Sequence, residues 1–117
     1  MLSNSYKKIL EDLEKIKNNP LSIIEYVFVF GSVAKCCIKN TSDIDLLLLG
    51  RQEKTIKLRM AITEHFDDLN LNNEIDYVYY DIESFNKIKY DNMFLKSLEN
   101  HIMTLEDMIN FIKEGLV

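Results

Sequence analysis

The sequence has little glycine, proline and cysteine, and these shortages already exclude several classes of protein. Only three glycines and one proline occur in 117 residues, so we expect few loops and much regular secondary structure. The two cysteines, Cys36 and Cys37, are adjacent, which rules out a disulfide framework and favours a reducing, cytoplasmic setting. No apolar run approaches the roughly 20 residues of a membrane helix, and the N-terminal segment lacks the apolar core of a signal peptide.

Acidic residues outnumber basic ones, 19 against 14, and the formal net charge is −5. A domain this acidic lacks the positive surface that binds duplex nucleic acid, so no direct DNA binding is expected. Apolar residues make up 47% and charged residues 28%, which is the balance of a globular protein. From this length and composition we predict a single domain over residues 1–117.

Apolar periodicity predicts helices that alternate with strands along the chain. The predicted helices are 4–18, 33–39, 52–69, 84–100 and 105–115. The predicted strands are 23–30, 43–49, 74–80 and a short one near Ile102. The run 43–49, DIDLLLL, is apolar on both faces after its first residues, as expected of a central strand. The pattern predicts an α/β (α+β) fold, a small mixed sheet of three or four strands flanked by helices.

One segment combines a signal for phosphate binding with a signal for metal binding. Gly31 and Ser32 lie where a strand gives way to a helix, where a glycine allows close approach to the backbone and a helix N-terminus offers N–H groups. Ten residues later, Asp43 and Asp45 lie two apart on a strand, so both side chains emerge on one face. Paired carboxylates repel unless a cation lies between them, and their hard oxygen ligands suit Mg²⁺.

Each half of this segment also has an ordinary structural explanation. A lone Gly-Ser pair is usually a turn, and a lone Asp-x-Asp is usually two solvated acids at the start of a strand. Their occurrence together, in register with the predicted strand, helix and second strand, makes a metal-dependent nucleotide site the better explanation.

The stretch FGSVAKCCIKNTSDIDLLL resembles the signature of the DNA polymerase β nucleotidyltransferase superfamily. More narrowly, it is similar to the minimal nucleotidyltransferases of prokaryotes, whose pattern is Gly-Ser, ten residues and Asp-x-Asp. The resemblance covers essentially the whole chain and implies a polymerase β-like fold. It implies that Gly31 and Ser32 bind the nucleotide and that Asp43 and Asp45 are catalytic metal ligands.

The family carries a third carboxylate on the next strand, and Asp76 matches that position as the third catalytic and metal-binding residue. Glu74 is the alternative. The family often has Arg-Gly where this chain has Lys35-Cys36, so the freedom of glycine and the paired N–H groups of arginine are absent there. We predict that the helix continues through Cys36 and that the cysteines pack rather than bind zinc, since they lack further cysteine partners.

Other residues carry weaker signals. Lys35, Lys39 and Arg51 could meet phosphates at the mouth of the site or could be ordinary surface charges. His65 lies on the apolar stripe of a helix and is expected at the core boundary rather than as a catalytic base.

The resemblance implies transfer of a nucleoside monophosphate, AMP from ATP, to a hydroxyl with the help of two Mg²⁺ ions. A chain of this size has no evident domain for nucleic acid or a drug, which favours the stand-alone members. These are antitoxins that AMPylate a tyrosine of a HEPN-domain ribonuclease toxin. We therefore expect a cognate HEPN-type toxin in a hetero-oligomer, no membrane partner and a cytoplasmic location. The alternatives are a contact-only antitoxin without catalysis, and a transferase that modifies a small molecule or RNA together with another subunit.

Overall fold

The structure is a computed structural model of the chain, and it describes residues 3–35, 43–88 and 101–115. Its strands form one four-stranded sheet in the order β3-β2-β1-β4. In chain order, the elements are α1 (Asn4–Asn18), β1 (Tyr26–Phe30), α2 (Gly31–Ala34), β2 (Ile44–Gly50), α3 (Ile56–Asp68), β3 (Ile75–Asp81), α4 (Ile82–Ile88), β4 (Met103–Thr104) and α5 (Leu105–Lys113). Strand β2 is antiparallel to β1 and parallel to β3, so the predicted mixed sheet is confirmed.

The predicted elements are present among the described residues, with shifted ends. Helix α2 begins at Gly31 rather than at 33 and ends at Ala34 with Lys35 as its C-cap, so it is shorter than the predicted helix 33–39. Strand β1 begins at Tyr26 rather than at 23, because the Ile24 N–H donates to the Leu21 carbonyl at 2.9 Å in a preceding turn. Helix α3 begins four residues later than predicted, because the Thr55 hydroxyl caps it by accepting the Leu58 N–H at 3.1 Å. The predictions for 36–42 and 89–100, including those for Cys36, Cys37 and Lys39, lie outside the described residues.

One face of the sheet, which we call the helical face, carries the main core. Helices α1, α3 and α5 pack there against alternate residues of the strands, as the two-residue period of a strand dictates. The central strand β2 contributes Ile44, Leu46 and Leu48, all fully buried. The main helical contributors are Ile9, Leu13, Ile16, Leu58, Ile62, Phe66, Met108, Ile109 and Ile112.

The other face, which we call the α4 face, holds a smaller cluster of described side chains. Leu47 and Leu49 of β2 are buried there, and Val78, Phe85 and Ile88 pack against them. The strand residues at one end of this face are acidic rather than apolar, which leaves that end for the site described below. None of the helices within the described ranges is both long enough and apolar enough to cross a bilayer.

A buried carboxylate ties α1 to the loop before β3. Asp12 is 0% exposed and accepts three hydrogen bonds of 2.8 Å, from the backbone N–H groups of Asn72 and Asn73 and from the Asn73 side-chain amide. Hydrogen bonds to an ionised acceptor are the stronger ones in proteins. Asp12 therefore fixes the loop that leads into β3, the strand that carries Asp76.

Candidate active site

The structure brings the three predicted site carboxylates to one end of the sheet. Asp45 lies near the start of β2, directly opposite Asp76 in the parallel register with β3. Paired strands are about 4.8 Å apart, and residues opposite each other project from the same face. Asp43 lies two residues before Asp45, and the intervening Ile44 is buried on the helical face. By alternation, all three carboxylates belong to the α4 face.

The carboxylates act on one another electrostatically. Burial is the largest cause of the raised pKa of Asp45, and the negative charges of Asp76 and then Asp43 raise that pKa further. Asp43 and Asp45 are half-buried and Asp76 is exposed. The ionised form of Asp45 is therefore costly in the protein alone, and a cation among the three groups would remove that cost.

The chemistry of these donors fits a divalent cation of the Mg²⁺ type. Mg²⁺ is commonly held by one or two carboxylates together with phosphate oxygens of a substrate. Within the residues that the structure describes, no three His, Cys, Asp or Glu side chains are already assembled as a protein-only metal centre. Asp43, Asp45 and Asp76 would therefore need the phosphate oxygens of a bound nucleotide to complete the ligand set.

Gly31 lies against the Asp45 carboxylate. Strand β1 ends at Phe30, which pairs with Asp45, so the chain turns beside it at the next residue. Gly31 has a φ of +70°, which glycine adopts without the steric cost of a side chain. A Cβ on Gly31 would overlap the Asp45 carboxylate and would lie 2.9 Å from its Cγ. Sequence reasoning missed this second role of Gly31, because the two residues become neighbours only when β1 and β2 pair.

The short helix α2 begins at the site without a side-chain cap. Its N-cap residue is Phe30, and no side chain there accepts a hydrogen bond from the first turn. The N-terminus of each of the three longer helices is capped by a hydroxyl: Ser3, Thr55 and Thr104. The structure thus places Gly31 and the half-buried Ser32 in a first turn whose N–H groups lack a side-chain cap. Phosphate oxygens are suitable partners for such groups.

Arg51 does not lie at the mouth of this site. It follows β2 at the end opposite to Asp45, and a strand of 7 residues spans roughly 20 Å. Its Nε lies 2.6 Å from Oε1 of Glu25. The suggestion that Arg51 meets phosphates is therefore wrong, because the direction of β2 carries it away from the carboxylates, and Arg51 is a surface charge.

Two further predicted residues have other neighbours. Glu74 lines a depression between α3 and β3 together with Ile75 and Tyr77, whereas the charges that raise the pKa of Asp45 are those of Asp76 and Asp43. His65 is half-buried, and its Nε2 lies 2.8 Å from the Asn19 carbonyl oxygen. This agrees with the predicted position of His65 at the core boundary.

The fold and the site together define a small α/β protein with clustered carboxylates beside a Gly-Ser turn. Residues 7–107 match the family described as "Polymerase beta, Nucleotidyltransferase", and the chain belongs to this family. The predicted polymerase β-like fold is thereby confirmed. No curated protein matches the chain.

Three solved structures have a similar fold. A toxin-antitoxin with AMP-PNP has a TM-score of 0.51 and 16% identity, over 95% of this chain and 83% of that chain. A candidate nucleotidyltransferase from Sulfolobus solfataricus has a TM-score of 0.49 and 22% identity, over 86% and 78%. A tri-AMPylated Shewanella oneidensis HEPN toxin in complex with MNT antitoxin has a TM-score of 0.43 and 14% identity, over 96% and 82%. At these identities the first of them shows a shared fold and no more.

Proposed function

We propose that the chain transfers AMP from ATP to a tyrosine hydroxyl of a HEPN-type toxin and so acts as its antitoxin. The observation that carries the proposal is the position of Asp45, opposite Asp76 in the sheet and in contact range of Gly31. In this proposal, residues 1–117 act as a single cytoplasmic domain that forms a hetero-oligomer with the toxin.

Gly31 and Ser32 bind the β- and γ-phosphates through the N–H groups of the first turn of α2 and the Ser32 hydroxyl. Asp43 and Asp45 hold a divalent cation, and Asp76 either joins them in holding a second one or acts as general base. Such cations, when bound, supply charge neutralisation on the triphosphate and lower the pKa of an acceptor hydroxyl.

The transfer is an in-line displacement at the α-phosphorus. A bond forms from the acceptor oxygen to the α-phosphorus, and the bond from that phosphorus to the bridging oxygen breaks, so that pyrophosphate leaves. With Asp76 as general base, the acceptor proton passes to its carboxylate.

The choice of a protein acceptor has three supports. The net charge of −5 disfavours a nucleic-acid acceptor. The signature at 30–48 resembles minimal nucleotidyltransferases, and the fold is shared with a toxin-antitoxin that binds an ATP analogue, AMP-PNP. A tyrosine phenol, with a pKa of ~10, loses its proton more readily than a sugar hydroxyl.

The decisive experiment compares the intact mass of the toxin after co-expression with wild type and with the Asp43→Asn, Asp45→Asn double variant. We expect the toxin to gain one or more AMP units with wild type and none with the double variant. Glu114→Gln, which changes an exposed carboxylate at the end of α5, is the control and should modify the toxin as wild type does. A toxin that is inhibited but unmodified by wild type would contradict the proposal and favour the contact-only antitoxin.

Nucleotide binding gives a second test that needs no toxin. Because Asp43, Asp45 and Asp76 repel the triphosphate, we expect ATP to bind measurably only with Mg²⁺ or Mn²⁺. Calorimetry with and without EDTA measures this, and Glu114→Gln should again match wild type. Equal ATP affinity in EDTA would show that the carboxylates are not metal ligands.

A further inference from the structure

Two large apolar side chains are exposed one turn apart on α3. Ile56 is 79% exposed and Met60 is 67% exposed, although the opposite side of the same helix is buried in the core. At helical spacing the line continues to Thr63 and Asp67. We call these four residues the α3 stripe. Exposed apolar patches with polar rims commonly mark interaction sites.

The stripe borders two depressions. One of about 610 Å³ follows it along α3 and is lined by Arg59 as well as by the stripe and its neighbouring carboxylates. A second depression of about 490 Å³, between α3 and β3, shares Thr63 and Asp67 with the first and is also lined by Glu74 and Tyr77.

The charges on α3 run against the dipole of the helix. Acidic groups stabilise the first turn of a helix and basic groups the last. Helix α5 follows this rule, with Glu106 and Asp107 in its first turn and Lys113 in its last. Helix α3 has no acid in its first turn and one basic residue, His65, in its last, and near its end it carries three exposed carboxylates: Glu64, Asp67 and Asp68. None of the ion pairs formed among the described residues involves these three.

We propose that the α3 stripe and the three carboxylates form the docking surface for the acceptor protein. The occupant is a segment of that protein with apolar side chains for Ile56 and Met60 and basic side chains for the acidic end. Charge complementarity supports this partner, because carboxylates near a helix C-terminus are unfavourable for α3 and basic side chains of a bound segment would offset them. The inference rests on the proposed function in that the partner is the acceptor.

The position of α3 relates this surface to the site. Strands β2 and β3 are parallel and α3 connects them, so α3 runs back across the sheet between them. Its acidic C-terminal end therefore lies at the end of the sheet where Asp45 and Asp76 begin their strands. A segment docked there is held at the reactive end of the molecule rather than at the Arg51 end.

The test uses two surface variants and two matched controls. Ile56→Ser with Met60→Ser removes the apolar half, and Asp67→Lys reverses the acidic half. Tyr26→Ser changes a large apolar side chain that is exposed elsewhere, and Glu114→Lys reverses an exposed carboxylate at the end of another helix. The probe is the HEPN-type toxin of the proposed function, and its affinity is measured by calorimetry.

We expect each surface variant to bind the HEPN-type protein at least about tenfold more weakly, while both controls bind within about twofold of wild type. The affinity for ATP with Mg²⁺ should be unchanged in all four, because none of these residues belongs to the site. Melting curves of the four variants verify that each is folded.

The outcomes separate docking from transfer. Wild-type affinity in both surface variants, or no complex with wild type, overturns the docking surface. A complex that the surface variants weaken, but whose toxin never gains AMP, supports the docking surface and contradicts the proposed transfer. A dimer of this chain alone that Ile56→Ser with Met60→Ser dissociates would assign the stripe to a second copy and overturn the inference.

Discussion

The two faces of the sheet differ in the residues that neighbouring positions of one strand contribute to them: apolar core residues on the helical face and clustered carboxylates at one end of the α4 face. Ile44 is 0% exposed in the core of the helical face, while Asp45, the next residue, meets the like charges of Asp43 and Asp76 on the α4 face. Because side chains alternate along a strand, β2 can contribute both to a stable core and to a site that is unstable without a ligand. The helical face thus supplies the stability that the carboxylate end of the α4 face lacks.

The largest effect on stability is expected from loss of the Asp12 carboxylate, which is buried on the helical face. Asp12→Ala removes three hydrogen bonds to an ionised acceptor and leaves the backbone N–H groups of Asn72 and Asn73 without it. We expect the free energy of unfolding to fall by about 3 kcal/mol. Urea denaturation followed by circular dichroism measures the change.

Glu11→Ala is the matched control for Asp12→Ala. Glu11 is the adjacent, exposed acid, and it accepts one bond of 3.0 Å from the Asn72 side chain. We expect this substitution to cost less than about 0.5 kcal/mol. Equal effects of the two substitutions would show that the carboxylate of Asp12 does not hold the loop before β3.

An intermediate loss of stability is expected from a substitution at Gly31, in the turn beside the Asp45 carboxylate. Gly31→Ala combines the cost of φ near +70° with overlap of the Asp45 carboxylate, and we expect about 2 kcal/mol of destabilisation. Gly115→Ala has the same φ of +70° with no atom within 4 Å of the added Cβ, and we expect about 1 kcal/mol or less. Thermal melts of both variants separate backbone strain from the contact.

Truncation of Asp45 tests the same contact, between a side chain at residue 31 and the Asp45 carboxylate. In Gly31→Ala with Asp45→Ala, the added methyl group no longer meets the carboxylate. The cost of Gly31→Ala should then drop toward that of Gly115→Ala, with the 3.2 Å contact to the Cβ of residue 45 as the remaining difference, as a double-mutant cycle reports. An unchanged cost would mean that the Asp45 carboxylate does not restrict residue 31.

The smallest expected effect is an increase in stability, and it comes from substitution of Asp45. Because the pKa of Asp45 is raised above 3.8 in the folded protein, folding favours the protonated group, and this contribution to stability is lost as the pH rises through the raised pKa. We expect Asp45→Asn to raise the melting temperature at pH 7 without metal by up to about 4 °C. The gain should shrink toward zero as the pH falls to about 4.

This small effect is measured by melting curves in EDTA at both pH values. Glu114→Gln, the loss of an exposed carboxylate, accounts for the change in net charge. A melting temperature of Asp45→Asn below that of wild type at pH 7 would show that the Asp45 charge stabilises the folded protein. The carboxylate end of the α4 face would then add to the stability of the protein, as the core of the helical face does.

Local patterns predicted the elements, since these depend on residues close together in sequence. The central place of β2 follows from a run that is apolar on both faces, and the motif spacing selected Gly31 and Asp45, which the structure places side by side. The start of α3 was misplaced because residues 52–54 are compatible with a helix, and only the cap at Thr55 ends the ambiguity. Of the two explanations given for Arg51, the ordinary surface charge is the one that agrees with the structure, because the length of β2 separates Arg51 from Asp45.

The role of Asp12 could not be predicted from local pattern. Helical spacing places Asp12 on the same side of α1 as Ile9, Leu13 and Ile16, so the pattern indicates a buried position but does not identify its hydrogen-bond partners. The burial of Asp12 depends on Asn72 and Asn73, which lie 60 and 61 residues away along the chain. These contacts form only once β2, α3 and the loop before β3 have folded together, so the sequence near Asp12 does not reveal them.

That separation has a consequence for how the chain is made. As synthesis proceeds, α1 emerges first and can become helical, but Asp12 cannot leave water until Asn73 has emerged, because burial of an unpaired carboxylate is very costly. Closing a loop of this length must precede the gain from the contact. Docking of α1 therefore waits for the segment that leads into Asp76. The docking of α1 and the addition of Asp76 to the other two predicted carboxylates thus belong to the same late stage of synthesis.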